Sequence, residues 1–522
     1  MLKFKTFGAE IEKPVSNKTT AQSHPVSQKF FKRLKNAADK RGVEPHYHFS
    51  DNQPKIILGV VSSDLGEQGL DNGFNLLESS LNYQYSLSDL QKAVEIDLKS
   101  TQEALSSEGA TITNMSIHPL CKRDIKTYRK FVAPKGIYKY IWYRGWDHSA
   151  GIDARAQNSP TTGVDVYKAA DAVSAIIGAG ATMIALFANG PFEEGRVSIY
   201  RDARLNMWDR MMGHSKVKGD LMTAKFPPER FKNLAQYFNW MFGKNTQIYF
   251  VLARNNKSSD FNATRYKKRH DVIANDYKSI GDKILIPKGN LSVLEYLSKK
   301  KWVSHWFKEI DKKNPKEEML TPSISDLEIL QYTQFAGARI RFKLKNHNNF
   351  PIDAFLKACK EESNKVEEIF DEFGEYFYIE GRDPGANFPD QEILGAGEKI
   401  AKSVVISPSA IQAGLLNNLQ RVSRYINQFP WSQLNNLREV AAKDGLQGKV
   451  VDLTIEEFTR NILDLASEGL NAEEQWMLAY PGWVLETKQN GADRAINFVR
   501  KHKKGSLNAI VDLVKQREIV LL

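Results

Sequence analysis

The sequence predicts a mixed α+β fold in which hairpin-like strands and helices fill the first part of the chain and helices fill the last. Three observations predict it. Short segments of period-2 alternation recur before residue 90. Helical 3.6-residue periods lie between and after them. From about residue 394 onward the pattern is almost wholly helical, with a Thr454-Ile455-Glu456-Glu457 capping signal before an apolar run that stops at Gly469.

The elements follow in order. Phe7-Gly8-Ala9-Glu10-Ile11-Glu12 reads as a strand. Alternation sends Phe7, Ala9 and Ile11 into a core and Glu10 and Glu12 to the other face. Lys13 to Pro25 is a polar loop, and Ser27 caps a helix carrying Phe30, Phe31 and Leu34 that Gly42 stops. Ile56 to Ser62 is a strand, Asp64 to Gly73 a glycine-rich acidic turn, and Phe74 to Ser80 another strand. Leu90, Val94, Leu98 and Leu105 mark a helix that ends at Gly109. Tyr138 to Trp146 and Gln247 to Arg254 are rich in aromatic and β-branched residues and read as strands. Arg254 to His270 and Lys299 to Lys316 are basic and broken, so they read as loops. The domain boundary falls at residue 393, giving a catalytic domain over 1–393 and a helical region over 394–522.

Composition narrows the classes. The chain has 522 residues, 42% hydrophobic and 26% charged, which suits a globular protein and not a disordered one. Its charge of +11 is small for this length and calls for no nucleic acid. Two cysteines, Cys121 and Cys359, make at most one bridge and too few thiolates for a structural zinc site. That points to a reducing compartment, the cytoplasm. The longest apolar stretch, Val173 to Ala188, is shorter than the ~20 residues that span a bilayer and reads as a buried helix. Its Gly178 and Gly180 suit close packing. No phosphate-cradling Gly-rich loop and no Gly-x-Ser-x-Gly elbow is present.

Two separated segments carry the chemistry. On the first strand, Glu10 and Glu12 share a face. On Tyr378-Ile379-Glu380-Gly381-Arg382, Glu380 and Arg382 share a face. Adjacent carboxylates repel unless a proton or cation lies between them, and a hard divalent ion bound by oxygens resolves that conflict. Downstream of Ala185 to Gly195, Arg204 and Trp208 stand four residues apart, so a helix would put them on one face. An arginine there can fork onto a phosphate or carboxylate.

Taken together these segments resemble the glutamate–cysteine ligases and related carboxylate–amine ligases. Gly8-Ala9-Glu10-Ile11-Glu12 is similar to the family's first-strand Gly-x-Glu-x-Glu, and Leu76-Leu77-Glu78 to its second acidic strand. His118-Pro119, the Ala185 to Gly195 turn, Arg204 with Trp208, Thr333 to Arg339 and Tyr378 to Arg382 follow in the family's order. Three departures stand out. Gly190 replaces a Ser, the segment before Arg339 lacks its Pro, and Asp165 in Thr162-Gly163-Val164-Asp165 stands where the resemblance expects a metal-binding His or Gln.

The resemblance implies a glutamine-synthetase-like fold, a curved and largely antiparallel sheet with helices outside. It implies ATP-dependent joining of the γ-carboxylate of glutamate to the amine of cysteine through an acyl phosphate, a step of glutathione biosynthesis, with Mg²⁺ (or Mn²⁺) as the metal. It implies metal binding by Glu10, Glu12, Glu78, Asp165 and Glu380. It implies catalytic roles for Arg382 and Arg339 and substrate binding by Arg204. Small-molecule substrates are then the partners, without nucleic acid or membrane. Two alternatives stay open. One is a ligase with a different amine acceptor. The other is a basic, non-catalytic nucleic-acid-binding protein, for which Arg265, Lys267, Lys268 and Arg269 beside Tyr266 are the support.

Overall fold

The computed structural model describes residues 6–50, 55–135, 137–248, 251–252, 284–502 and 506–522. The cluster around Tyr266 lies outside them, as does part of the Gln247–Arg254 segment, of which Val251–Leu252 is a strand.

The centre is an antiparallel sheet of nine strands among the described residues. They are β1 (Phe7–Asn17), β2 (His46–Phe49), β3 (Ile57–Ser62), β4 (Gly66–Leu70), β5 (Leu76–Leu81), β6 (Ala110–Ile112), β7 (Asn158–Gly163), β8 (Ala338–Leu344) and β9 (Gly374–Gly381). Their spatial order is β8-β9-β7-β1-β5-β4-β3-β2, with β6 on the far end of β1. The mixed fold and the large antiparallel sheet agree with the sequence reading. The edge strand β8 has its backbone N–H groups covered by side chains. Tyr237 Oη accepts from Ile340 N, Gln331 Oε1 from Phe342 N, and Glu328 Oε2 from Leu344 N. An edge met in this way offers no template for a foreign strand.

One face of the sheet carries Phe7, Ala9, Ile11, Leu77 and Ile379, all buried. The helices Leu87–Ser106, Ala169–Gly178 and Ser407–Asn417 pack behind it. Two polar contacts pin them. Lys13 Nζ reaches Asp97 Oδ2 at 2.8 Å, with both groups buried. Gln412 Nε2 bridges Pro160 O, Thr162 Oγ1 and Ile379 O across β7 and β9. From residue 391 on the chain is helical apart from one two-stranded ribbon, and Ser407–Asn417 lies directly on β7 and β1.

Five segments differ from the sequence reading. Residues 13–17, read as the start of a polar loop, continue β1, with Lys13, Val15 and Ser16 buried and paired to β5 and β6. Ile137–Arg144 is a helix, not a strand, with Tyr138 and Ile141 buried one turn apart. Its aromatic residues have strand propensity, but propensity is a weak prior against a packed helical face. The Asp64–Gly73 turn contains β4, whose glycines weaken the strand signal. The basic Lys299–Lys316 segment contains a strand, Trp302–Trp306. The apolar Val173–Ala188 stretch is covered by two helices, Ala169–Gly178 and Gly180–Phe187, bent by 45° at Ala179. The outer segment Val166–Lys168 precedes them as a 3₁₀ turn. No single helix among the described residues is long and apolar enough to cross a membrane.

Close packing at that bend is literal. A Cβ on Gly180 would lie 2.3 Å from Asp383 Oδ2, and one on Gly337 would lie 2.5 Å from the same atom. Two glycines thus seat Asp383, whose carboxylate takes Arg438 Nη2 at 2.7 Å. This anchors the turn that follows β9 at the edge of the site.

Candidate functional site

Strand register brings the acidic residues together. Residues paired across strands lie on the same sheet face. Glu12 on β1 pairs with Glu78 on β5. Glu10 pairs with Ser159 on β7, and Thr161, two residues on, pairs with Glu380 on β9. Glu380 in turn pairs with Arg339 on β8. Glu10, Glu12, Glu78 and Glu380 therefore occupy one face, opposite the packed one. The convergence expected from alternation alone is present.

Their electrostatics differ sharply. Burial raises Glu12 well above the usual carboxylate range, and repulsion from Asp71 and Glu78 adds to it; Arg382 and the Gln157 N–H at 2.9 Å oppose. Glu78 is likewise raised well above by burial, with Asp71, Glu10 and Glu67 pushing the same way and Lys135 opposing. Burial also raises Glu10, with Glu380 adding and three arginines opposing. Asp71, raised by burial, is a member of this group that the sequence reading placed in a turn.

Glu380 is the exception. Burial would raise it, but Arg339, Arg341 and Arg382 together hold it far below the usual range. Arg339 grips it with Nη2–Oε1 at 2.8 Å and Nε–Oε2 at 3.0 Å. Arg382 Nη1 reaches Oε1 at 2.7 Å, and Arg341 Nη1 reaches Oε2 at 3.1 Å. Both oxygens are thus taken by cations, which leaves little for the metal expected there. Arg339 also donates to Tyr332 O and Gln334 O, so it is an anchor more than an open reagent. Arg341, missed in the sequence, was within reach of the same period-2 argument, two residues from Arg339.

Of these groups, Glu12, Asp71 and Arg382 open on a cavity of about 310 Å³. Its polar side carries Glu12, Asp71, Gln157, Arg155, Arg204 and Arg382. Its other side is aromatic and apolar, with Tyr138, Trp146, Trp208 and Phe335 among its residues. Trp208 and Phe335 pack at 4.4 Å between centroids. Arg204 belongs to a 3₁₀ turn, Ala203–Asn206, and Trp208 to the helix Met207–Met212 that follows it. Arg204 reaches Gln157 Oε1 at 3.1 Å and Asp383 O at 2.7 Å, and its Nε has no partner among the described residues. Arg155, also unforeseen, spends its donors inside the protein on Asp153, Glu193, Ala203 O and Asn206. Arg382 is different: it lines the cavity, bonds only Glu380, and its Nε has no partner among the described residues.

Asp165 does not join the group. It lies beyond the end of β7, exposed, and its carboxylate caps a 3₁₀ turn by accepting from Tyr167 N at 2.9 Å. The β7 residues on the acidic face are Ser159 and Thr161, and Gln157 precedes them on the cavity wall. The small residues of Thr162-Gly163-Val164 run one strand end too far to aim a ligand at the site.

A hard divalent ion suits the donor chemistry of Glu10, Glu12, Glu78 and Asp71. All donors are oxygens, and their burial and mutual repulsion exceed what the nearby arginines and Lys135 offset. Among the described residues, no three such side chains stand together as a ready-made cage.

The family described as glutamate-cysteine ligase family 2 matches residues 6–320, and the chain belongs to it. That membership makes it an ATP-dependent ligase of the carboxylate–amine class. Among curated proteins none matches the sequence. Among solved structures it is similar to a glutamate–cysteine ligase from Francisella tularensis in complex with AMP. The identity is 12% over 98% of this chain and 89% of that one, with a TM-score of 0.46. It is also similar to a bifunctional glutathione synthetase from Pasteurella multocida, at 11% identity over 98% of this chain and 52% of that one, with a TM-score of 0.42.

Proposed function

We propose that the protein joins the γ-carboxylate of glutamate to the amine of cysteine at the expense of ATP, through an acyl phosphate. The observation that carries this reading is one cavity with an acidic wall at Glu12 and Asp71 and, beside them, the guanidinium of Arg382, whose one side-chain hydrogen bond goes to Glu380. Transfer of a phosphoryl group to a carboxylate brings two anions together, so charge neutralisation is the main demand. Arg382 meets it by bringing positive charge to the cavity wall beside Glu12. Arg339 and Arg341 hold Glu380 and, through it, the aim of Arg382. Arg204 adds positive charge to the same wall, with its Nη groups held by Gln157, Asp202 and Asp383 O. Glu10, Glu12, Glu78 and Asp71 would hold Mg²⁺ or Mn²⁺, which when bound supplies neutralising charge to the phosphate oxygens. Glu380 serves as the anchor of the arginines. Cysteine as the acceptor comes from family membership.

The test is ADP release by the purified protein with Mg²⁺, glutamate and a panel of amine acceptors, with products read by mass spectrometry. A γ-glutamyl product with cysteine is expected. Another amine in its place would keep the mechanism and replace the acceptor. No glutamate-dependent ADP release with any acceptor would end the reading.

A further inference from the structure

The cavity wall holds one titratable side chain that the reaction above leaves unused. His148 opens the 3₁₀ turn His148–Gly151, which Asp147 caps. Its ring is 6% exposed, lies 4.1 Å from the Tyr138 ring between centroids, and lines the cavity. Its Nδ1 is 2.9 Å from the Tyr128 hydroxyl. That hydroxyl accepts from the Trp142 indole N–H, also at 2.9 Å.

One tautomer completes a chain of donors. An indole N–H can only donate. With the phenol oxygen receiving it, the phenol's own proton can be donated to Nδ1. A neutral imidazole that accepts at Nδ1 carries its proton on Nε2. Nε2 has no partner among the described residues and is not among the atoms sealed from solvent, so it opens on the cavity. Burial, aided by Lys135, keeps the ring neutral down to about 3. Two neighbouring donors on this wall are spent. Tyr138 donates to Asp71 O at 2.9 Å, and the Trp146 indole donates to Asp220 at 2.7 Å. A substrate oxygen laid against this wall loses water and needs a donor to replace it.

We propose that His148 is a substrate-binding residue whose Nε2–H donates to a carboxylate oxygen of the bound amino acid, and that it is not the base for the acceptor amine. This rests on the ligase reading above. A ring that already carries its proton on the cavity side cannot take another there and stay neutral.

Two measurements on the full-length protein test it. In protein labelled with ¹⁵N-histidine, ring correlations assigned by loss in His148→Gln should show a neutral Nε2–H ring from pH 5 to 8. In Tyr128→Phe the phenol donor is gone, and the signal should move toward a mixture of tautomers. An Nδ1–H ring, or a charged one near neutral pH, would overturn the proposal. Second, hydroxylamine with ATP, Mg²⁺ and glutamate traps any acyl phosphate as a hydroxamate, whatever the natural acceptor. His148→Leu should raise KM for glutamate about 10- to 100-fold, the usual worth of a hydrogen bond to a charged group, with kcat little changed. His148→Gln, which keeps a neutral N–H, should recover part of it and covers the case where the Leu variant does not fold. Loss of kcat at constant KM would make His148 a base and sink the proposal while leaving the ligase. No hydroxamate from the wild type would sink the ligase reading and the substrate contact with it, leaving the tautomer to be read by NMR alone.

Discussion

Glu12 on β1 lies directly across from Glu78 on β5, on the cavity face of the sheet. Burial and repulsion push both well above the ordinary carboxylate range. A carboxylate whose folded pKa exceeds its unfolded value binds more protons when folded. Its contribution to stability is therefore full below about pH 4, near the unfolded value, and is lost as pH rises through the folded value. Glu12→Gln removes that penalty and keeps an oxygen for the Gln157 N–H. Without metal, the variant should melt higher than wild type at pH 8 and nearly level with it at pH 4. Added Mg²⁺ should raise the melting temperature of wild type more than that of the variant. Thermal melts at the two pH values decide it, and equal melting at pH 8 would show that the pair carries no strain.

Arg382 and Arg339 hold the same carboxylate but should fail in different ways. Arg382 lines the cavity and makes one side-chain hydrogen bond, whereas Arg339 makes four inside the protein. Arg382→Ala should cut turnover by about 10²–10³-fold, the cost of removing one preorganised charge donor. Arg339→Ala should lower stability on the order of 3 kcal/mol, because it breaks a buried ion pair. Steady-state kinetics and urea melts on both variants separate the roles, and identical profiles would show that the division is false.

Asp165 should be irrelevant to metal. Its carboxylate caps a 3₁₀ turn at the surface. Asp165→Ala should cost about 0.5–1 kcal/mol, the low end for losing a cap. The Mg²⁺ concentration giving half-maximal turnover should not change. A shifted Mg²⁺ dependence would return Asp165 to the site.

Period-2 alternation made the acidic face legible, because one strand residue in two must face the same way. Glu10, Glu12, Glu78 and Glu380 were readable for that reason. Asp71 was not, since it follows a strand whose glycines hide the alternation. Tyr138 and Ile141 line the cavity from a helix whose composition favours strands, so tertiary packing overrode local preference. Arg341 was legible and went unread. Asp165 was misplaced because a motif match gives the order of residues along the chain but not where a strand ends. His148 carries no motif at all, and only its neighbours in space, Tyr128 and Trp142, reveal its orientation.

The sequence alone makes Glu380 a metal ligand on a polar face, where truncation would spare the fold. Its surroundings argue otherwise. Three guanidiniums converge on a side chain that is fully buried. Removing the carboxylate leaves their charges facing one another without compensation, and stripping one partner from a buried ionic cluster costs about 3–5 kcal/mol. Glu380→Ala should therefore destabilise the protein by roughly that amount as well as ending turnover. Glu380→Gln keeps the size and the oxygen but loses the charge, so it should be destabilised nearly as much. The double variant Glu380→Gln with Arg341→Met removes one of the competing cations and should regain part of the stability without regaining activity. Urea melts with activity assays on the three proteins test this. Full stability in Glu380→Ala would mean that the arginines do not depend on it, and would restore Glu380 to the role of a dispensable surface ligand.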